Sequence, residues 1–205
     1  MMRSRAWTFP DRWRDTPKNY FKLVETVGRA INQIDPEKYV VISGVGMWGF
    51  ADNYNWMHPV NVRNSVYSFN PYIPSAFANS GKKGRPIVNY ISEKERGRLM
   101  EKMLPVQNFA KKHNANIIVV GFGLPYHTEG KGARDWMEDM LNFFEKNKWS
   151  WMYFSYGIPF RSPEVVGPAG KGEWIRSEDT ERLTILKQYW RLNSDKKDTS
   201  FRMQK

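Results

Sequence analysis

Hydrophobic positions along this chain switch between two periods, and the switching predicts its elements. Tyr20, Phe21, Val24, Val27, Ile31 and Ile34 recur at helical spacing. They predict a helix over about 17–34, opened by Thr16-Pro17 and stopped by Asp35-Pro36. Tyr39-Val-Val-Ile-Ser43 and Ser65-Val-Tyr-Ser-Phe69 are short apolar runs that read as strands. Ser92 with Glu95 forms a capping box for a helix ending near Lys112. Asn116-Ile-Ile-Val-Val-Gly-Phe-Gly123 is a continuous apolar run closed by two glycines. Such a run reads as a strand buried on both faces, the kind found in parallel sheets covered by helices.

Beyond it, Trp136, Met140, Phe143 and Phe144 mark a helix around 132–147. For Trp136, Phe143 and Trp190, at helical spacing, core packing is the expectation. Trp149-Ser-Trp-Met-Tyr-Phe-Ser-Tyr156 reads as a strand, and 157–173 as a loop rich in Gly and Pro. A last helix starts at Ser177 or Asp179 and ends near Trp190. The order α-β-β-α-β-α-β-α argues for an α/β fold, a parallel sheet with outer helices. Four strands cannot close a barrel, which needs about eight. An open sheet or half a barrel follows, as one domain over 1–192 with a solvated, disordered basic tail over 193–205.

Composition adds two constraints. The 205 residues hold nine Trp and are 15% aromatic. Indole N–H groups need partners when buried, so a surplus of rings suggests partly exposed platforms for sugars or bases. The chain carries 32 basic and 21 acidic residues, a net charge of +11. The basic residues are scattered, which favours a solvated surface over a nucleic-acid footprint. There is no Cys, so neither disulfides nor thiolate metal sites arise. No apolar stretch approaches about 20 residues, so no membrane helix is expected. The start, Met1-Met-Arg-Ser-Arg-Ala-Trp7, lacks the apolar core of a secretory signal.

In α/β barrels chemistry sits where strands end, which directs attention to Gly121, Phe122 and Gly123. The loop Gly44-Val-Gly-Met-Trp-Gly49 contains G-x-G but lacks the third glycine of a dinucleotide fingerprint. Loop acids Asp52, Glu129 and Glu173 read first as solvated carboxylates, with Glu129 the candidate nearest the key strand. His127 and Glu129 form a His-x-Glu pair without an evident third metal ligand, and His58 and His113 read as loop and surface residues. No residue set calls for a cofactor.

Four segments in order carry a resemblance: Tyr39–Trp48, Tyr67-Ser-Phe-Asn-Pro-Tyr-Ile-Pro74, Asn116–Gly123 and Trp151-Met-Tyr-Phe-Ser-Tyr156. Over roughly 7–192 the chain resembles the second half of family 5 glycoside hydrolases, cellulase-like (β/α)8 barrels, with its strands in the places of strands 5–8. The resemblance implies a retaining β-glycanase of cellulase or mannanase type, acting on oligo- or polysaccharide. It implies a secreted full-length protein. It places Trp48, Asn70, Tyr72, Tyr126 and Phe154 at the sugar site, with Asn70 where the family has His and Phe154 where it has Trp. Tyr54, Trp56 and Trp151 also fall near strand ends or their loops.

Two departures bear on chemistry. The family's acid/base Glu lies in Asn-Glu-Pro, which occurs nowhere here; Trp7–Trp13 resembles the loop that follows it. The nucleophile Glu of Gly-Glu-Phe-Gly is matched by Gly121-Phe122-Gly123. Either Gly121 replaces the Glu, or a residue is missing between Gly121 and Phe122. The expectation is an impaired hydrolase domain; the alternative is a non-catalytic carbohydrate-binding or interaction fragment. Half a barrel also leaves strand edges and an inner face open, to be met by an N-terminal half-barrel or by self-association.

Overall fold

The computed structural model describes residues 20–44, 49–81, 84–90, 93–170 and 173–194. Helix α1 spans Tyr20–Ile34, followed by β1 (Val40–Ser43), a 3-10 turn at Ala51–Trp56 and β2 (Ser65–Phe69). Then come the short α2 (Ser75–Ala78), α3 (Glu93–His113), β3 (Asn116–Phe122), a 3-10 turn at Tyr126–Thr128 and α4 (Ala133–Lys146). The chain closes with β4 (Ser150–Tyr153), β5 (Val165–Gly170), β6 (Glu173–Arg176) and α5 (Glu181–Ser194). Each helix and strand expected from periodicity is present. The helix opening at Thr16-Pro17, the Ser92 cap, the loop centre at 82–83 and the tail beyond Ser194 lie outside the described residues.

Two segments differ from the sequence reading. The strand expected to reach Tyr156 stops at Tyr153. The Gly/Pro-rich stretch is not all loop: β5 and β6 pair antiparallel, with register shifts on either side of Gly167 and Pro168. Glycine and proline mask a hairpin because neither shows period-2 alternation, and irregular pairing tolerates both.

The chain divides into two units. Among the described residues the first holds everything up to Ile73 plus Gly97–Phe122 and Phe144–Tyr153. The second holds Pro74–Arg96, Gly123–Phe143 and the chain from Phe154.

The first unit is built on a four-stranded sheet in the order β1-β2-β3-β4, parallel throughout. Register sets Ile42 beside Tyr67 and Tyr67 beside Ile117, then Phe69 beside Val119 and Val119 beside Trp151. Neighbours in register share a face, so these residues line one side of the sheet. Ile42, Tyr67, Phe69, Ile117 and Val119 are buried. Helix α3 contributes Leu99, Met103, Val106 and Phe109 as its buried residues. Phe109 meets Tyr67 and Tyr54 edge-to-face, with centroids 4.8 and 5.3 Å apart, and Phe69 meets Trp149 at 5.5 Å. Pro105 sits inside α3, where it removes one backbone donor from the helix ladder.

In the second unit the buried apolar set includes Phe77, Tyr90, Trp136, Met137, Met140, Ile185 and Leu186. Trp136 fulfils its core expectation. Trp190 does not: it is 46% exposed. Helix α5 is capped by Thr180, not by Ser177 or Asp179; its Oγ1 accepts the Leu183 N–H at 3.1 Å.

Two glycines ahead of α4 give a paired test. Gly132 has φ +92°, and a Cβ there would lie 1.9 Å from the Tyr90 carbonyl oxygen. Gly130 has φ +65° with nothing within 4 Å. Gly132→Ala is expected to cost about 3 kcal/mol or more, since strain and collision with backbone add, while Gly130→Ala costs about 1 kcal/mol. Urea denaturation of the two variants side by side checks the difference.

Candidate functional site

Because the strands of the first unit are parallel, their C-terminal ends emerge along one edge of the sheet. That edge holds Gly44 after β1, Asn70 and Tyr72 after β2, Gly121 and Phe122 at the end of β3, and Tyr153 at the end of β4. Backbone bonds hold it in shape. The Gly44 N–H donates to the Ser68 carbonyl at 3.0 Å, and the Asn70 N–H donates to the Gly49 carbonyl at 3.0 Å. The loop after β1 therefore returns to the end of β2. Asn70 and Tyr72 are both half-buried there, joined by the Tyr72 N–H donating to the Asn70 carbonyl at 3.1 Å. Trp48 lies outside the described residues.

Tyr54 and Trp56, which the sequence put near the same edge, divide. Trp56 is 55% exposed. Tyr54 is buried, and its hydroxyl donates to the Ser68 carbonyl at 3.0 Å. Burial raises its pKa far above the ordinary tyrosine value, with the nearby Tyr20 and Tyr67 adding to the shift. Trp151 is half-buried; its indole donates to Glu145 at 3.0 Å, and its ring meets Phe122.

The end of β3 is irregular. Val119 pairs with Trp151 and Phe122 with Tyr153, so three steps on β3 match two on β4. Without that extra residue Phe122 would sit on the face opposite Val119. The bulge returns it to the covered side, where it is fully buried against Phe144, Trp151 and Tyr153. Gly121, at the bulge, is buried.

In the second unit Tyr126 is half-buried among His127, Phe160 and Trp174. Phe154 is 45% exposed and follows β4 directly. Glu129 is engaged with both oxygens: one pairs with Arg182 Nε at 2.5 Å, the other accepts the Glu181 N–H at 2.8 Å. The Arg182 side chain is wholly buried and donates also to the carbonyls of Leu124, Ser162 and Val165. His127 approaches the Ser80 carbonyl through Nε2. Of the other residues weighed in the sequence, Asp52 pairs with Lys102 at the surface, Glu173 is exposed, His58 is exposed and His113 is half-buried.

Sequence reasoning missed three buried charges in this unit. Glu164 accepts hydrogen bonds from Ser162 Oγ at 2.9 and 2.8 Å and pairs with Arg176. Arg161 reaches the carbonyls of Gly123 and Ala78. Arg182 left one signal: it shares a helix face with Ile185 and Leu186, at i+3 and i+4. Glu164 and Arg161 left none, because they lie in irregular chain. Among the described residues no group of three His, Cys, Asp or Glu could hold a metal ion, and no helix is long and apolar enough to cross a membrane.

A parallel sheet with helices in its returns is the architecture of a β/α barrel opened along one side. The family model for cellulase, glycosyl hydrolase family 5, matches residues 3–158. The chain belongs to that family. Solved structures agree in fold. The cellulose synthase subunit Z of Clostridioides difficile is 20% identical with a TM-score of 0.67, covering 82% of this chain and 56% of its own. A hyperthermophilic endo-β-1,4-glucanase in complex with substrate is 21% identical with a TM-score of 0.66, at 82% and 55%. Thermotoga maritima Cel5A, in a structure with mannotriose, is 20% identical with a TM-score of 0.67, at 83% and 55%. The chain thus spans little more than half the length of these relatives, and its four-stranded sheet is a barrel left unclosed. No curated protein matches it.

Two predictions follow from these contacts. Arg182→Met, which strands the Glu129 carboxylate and three carbonyls, is expected to cost about 3–5 kcal/mol in chemical denaturation. Glu129→Gln keeps a hydrogen-bond acceptor and should cost clearly less. Tyr54 and Tyr90 both have pKa values raised by burial, with the Asp139 hydrogen bond adding for Tyr90. The unfolded chain therefore ionises them first. Their contribution to stability is complete below pH about 10 and declines above it, by up to about 1.4 kcal/mol per pH unit for each tyrosine. Tyr54→Phe should remove one share of that alkaline slope, measured as unfolding free energy against pH relative to the parent.

Proposed function

We propose that this chain is a β-glycan-directed domain of the glycoside hydrolase type whose own hydrolytic chemistry is impaired. The carrying observation is the end of β3, where Gly121 stands in the bulge next to a fully buried Phe122. A retaining glycosidase needs two carboxyl groups about 5–5.5 Å apart, one to protonate the leaving oxygen and one to attack the anomeric carbon. Glycine can do neither. The bulge supports reading Gly121 as the replaced nucleophile: β3 carries one residue more than β4 across this stretch, not one fewer.

Among the described acids weighed as substitutes, Glu129 is committed to Arg182 and the α5 backbone, Glu164 to Ser162 and Arg176, and Asp52 to Lys102. Each is better placed to hold structure than to attack a sugar.

Glucan and mannan are the substrate classes we favour, because structures of Thermotoga maritima Cel5A are described with cellobiose and with mannotriose. The family resemblance makes Trp48, Asn70 and Tyr72, and separately Tyr126 and Phe154, the residues we propose as sugar contacts. The exposure of Phe154 favours the second reading, a non-catalytic carbohydrate-binding fragment, since an exposed ring can stack on a sugar's C–H face.

Reducing-end release from cello- and manno-oligosaccharides should not exceed a buffer control. Turnover that disappears in Glu129→Gln or Glu164→Gln would overturn the impaired reading. Affinity electrophoresis in soluble glucan and glucomannan tests binding. Tyr72→Ala and Phe154→Ala should each weaken retention roughly tenfold, equivalent to about 1.4 kcal/mol. Equal migration with and without polysaccharide would sink both readings.

A further inference from the structure

The sheet of the first unit ends at β1 on one side and β4 on the other, and neither has a further neighbour among the described residues. Each edge strand is four residues long. The face opposite Tyr67, Phe69 and Val119 carries Val41, Val66, Ile118 and Met152, of which Val41 is 53% and Met152 49% exposed. Helix α1 lies against β1. It packs through Gly28 on Val62 and through Glu25, which accepts the Asn61 N–H. Leu23, Val27, Ile31 and Ile34 stay exposed, Ile34 by 88%. At spacings of i, i+4, i+8 and i+11 they form one stripe along the helix. An apolar stripe beside an open strand edge is a surface that needs a cover.

We propose that a second copy of this chain supplies it, in a two-fold pair where β1 of one protomer adds in parallel to β4 of its partner and β4 adds to the partner's β1. A rotation axis along the strand direction keeps every strand parallel. Four strands from each copy give about eight, the number at which a parallel barrel closes and its edges vanish. The two edges match in length, so neither ladder overhangs. The contact is isologous, as a two-fold pair requires. The α1 stripe, beside the β1 seam, is covered as that seam closes.

The pair also completes the strand-end edge. The C-terminal ends of both sheets face the same end of the closed barrel, so Asn70 and Tyr72 line its mouth twice, where one copy leaves one side open. A net charge of +11 on each copy opposes association, so apolar burial must drive it, and added salt should strengthen it by screening the repulsion.

Sedimentation equilibrium of the full chain, from about 1 to about 100 µM and at two salt concentrations, reads the result directly. The expected species has twice the 24.2 kDa chain mass and gains population with salt. Val27→Lys with Ile34→Lys, and separately Val41→Lys, change exposed positions and should leave circular dichroism intact while weakening the pair at least tenfold. A monomer at every concentration overturns the proposal. So does a dimer indifferent to both sets of substitutions, or a monomer whose apolar stripe is protected only when a different polypeptide is added. None of these readouts involves a glycan, so the pairing and the glycan reading stand or fall separately.

Discussion

The parallel backbone ladder is the constraint on which the rest of the first unit depends. Four strands, each pairing through register with the next, must all run the same way, so every return has to cross over the sheet. Helix α3 lies in the return from β2 to β3 and α4 in the return from β3 to β4, while the return from β1 to β2 holds only the 3-10 turn at Ala51–Trp56. The same directionality delivers Ser43, Phe69, Phe122 and Tyr153 to one edge, and the loops that follow inherit that position. Candidate chemistry is gathered there by hydrogen-bond geometry before any side chain is chosen. The ladder has a second consequence. A parallel sheet of four cannot satisfy its own outer edges, and the exposed Val41 and Met152 sit on the strands that bear them.

Aromatic rings do two jobs in this protein, and burial separates them. Tyr54, Tyr67, Phe69, Phe109 and Trp149 interlock edge-to-face on the covered side of the sheet, and their polar tips are served: Tyr54 donates to Ser68, and the Tyr67 hydroxyl accepts the Val60 N–H. Much of the aromatic surplus is therefore core. Trp56 and Phe154 remain exposed and able to present a ring to a ligand. In the second unit buried arginines do the equivalent work. Arg182 gathers three carbonyls and a carboxylate, so irregular loops that could not satisfy one another converge on a single guanidinium.

Membership of the cellulase family and the impaired chemistry we propose are compatible because they reside on different links. The fold follows from apolar runs and crossover helices, which Gly121 leaves intact. A retaining mechanism needs two carboxylates, and in the reading we propose Gly121, at the bulge, stands where one of them would be. A glycine there still permits the bulge that buries Phe122.

Periodicity along the chain was enough to place α1, β1, β2, α3, β3, α4 and α5 and to give the parallel class. Each of these rests on local spacing or on residue identity. Only the tertiary structure decided what long-range contact controls. It showed Tyr54 turned into the core, Trp190 left outside it, the β5–β6 hairpin inside a Gly- and Pro-rich stretch, and Glu129 bound to an arginine 53 residues away. It also left Leu23, Val27, Ile31 and Ile34 uncovered. Helical spacing shows that such residues share a face, but whether anything lies against that face depends on chain distant in sequence.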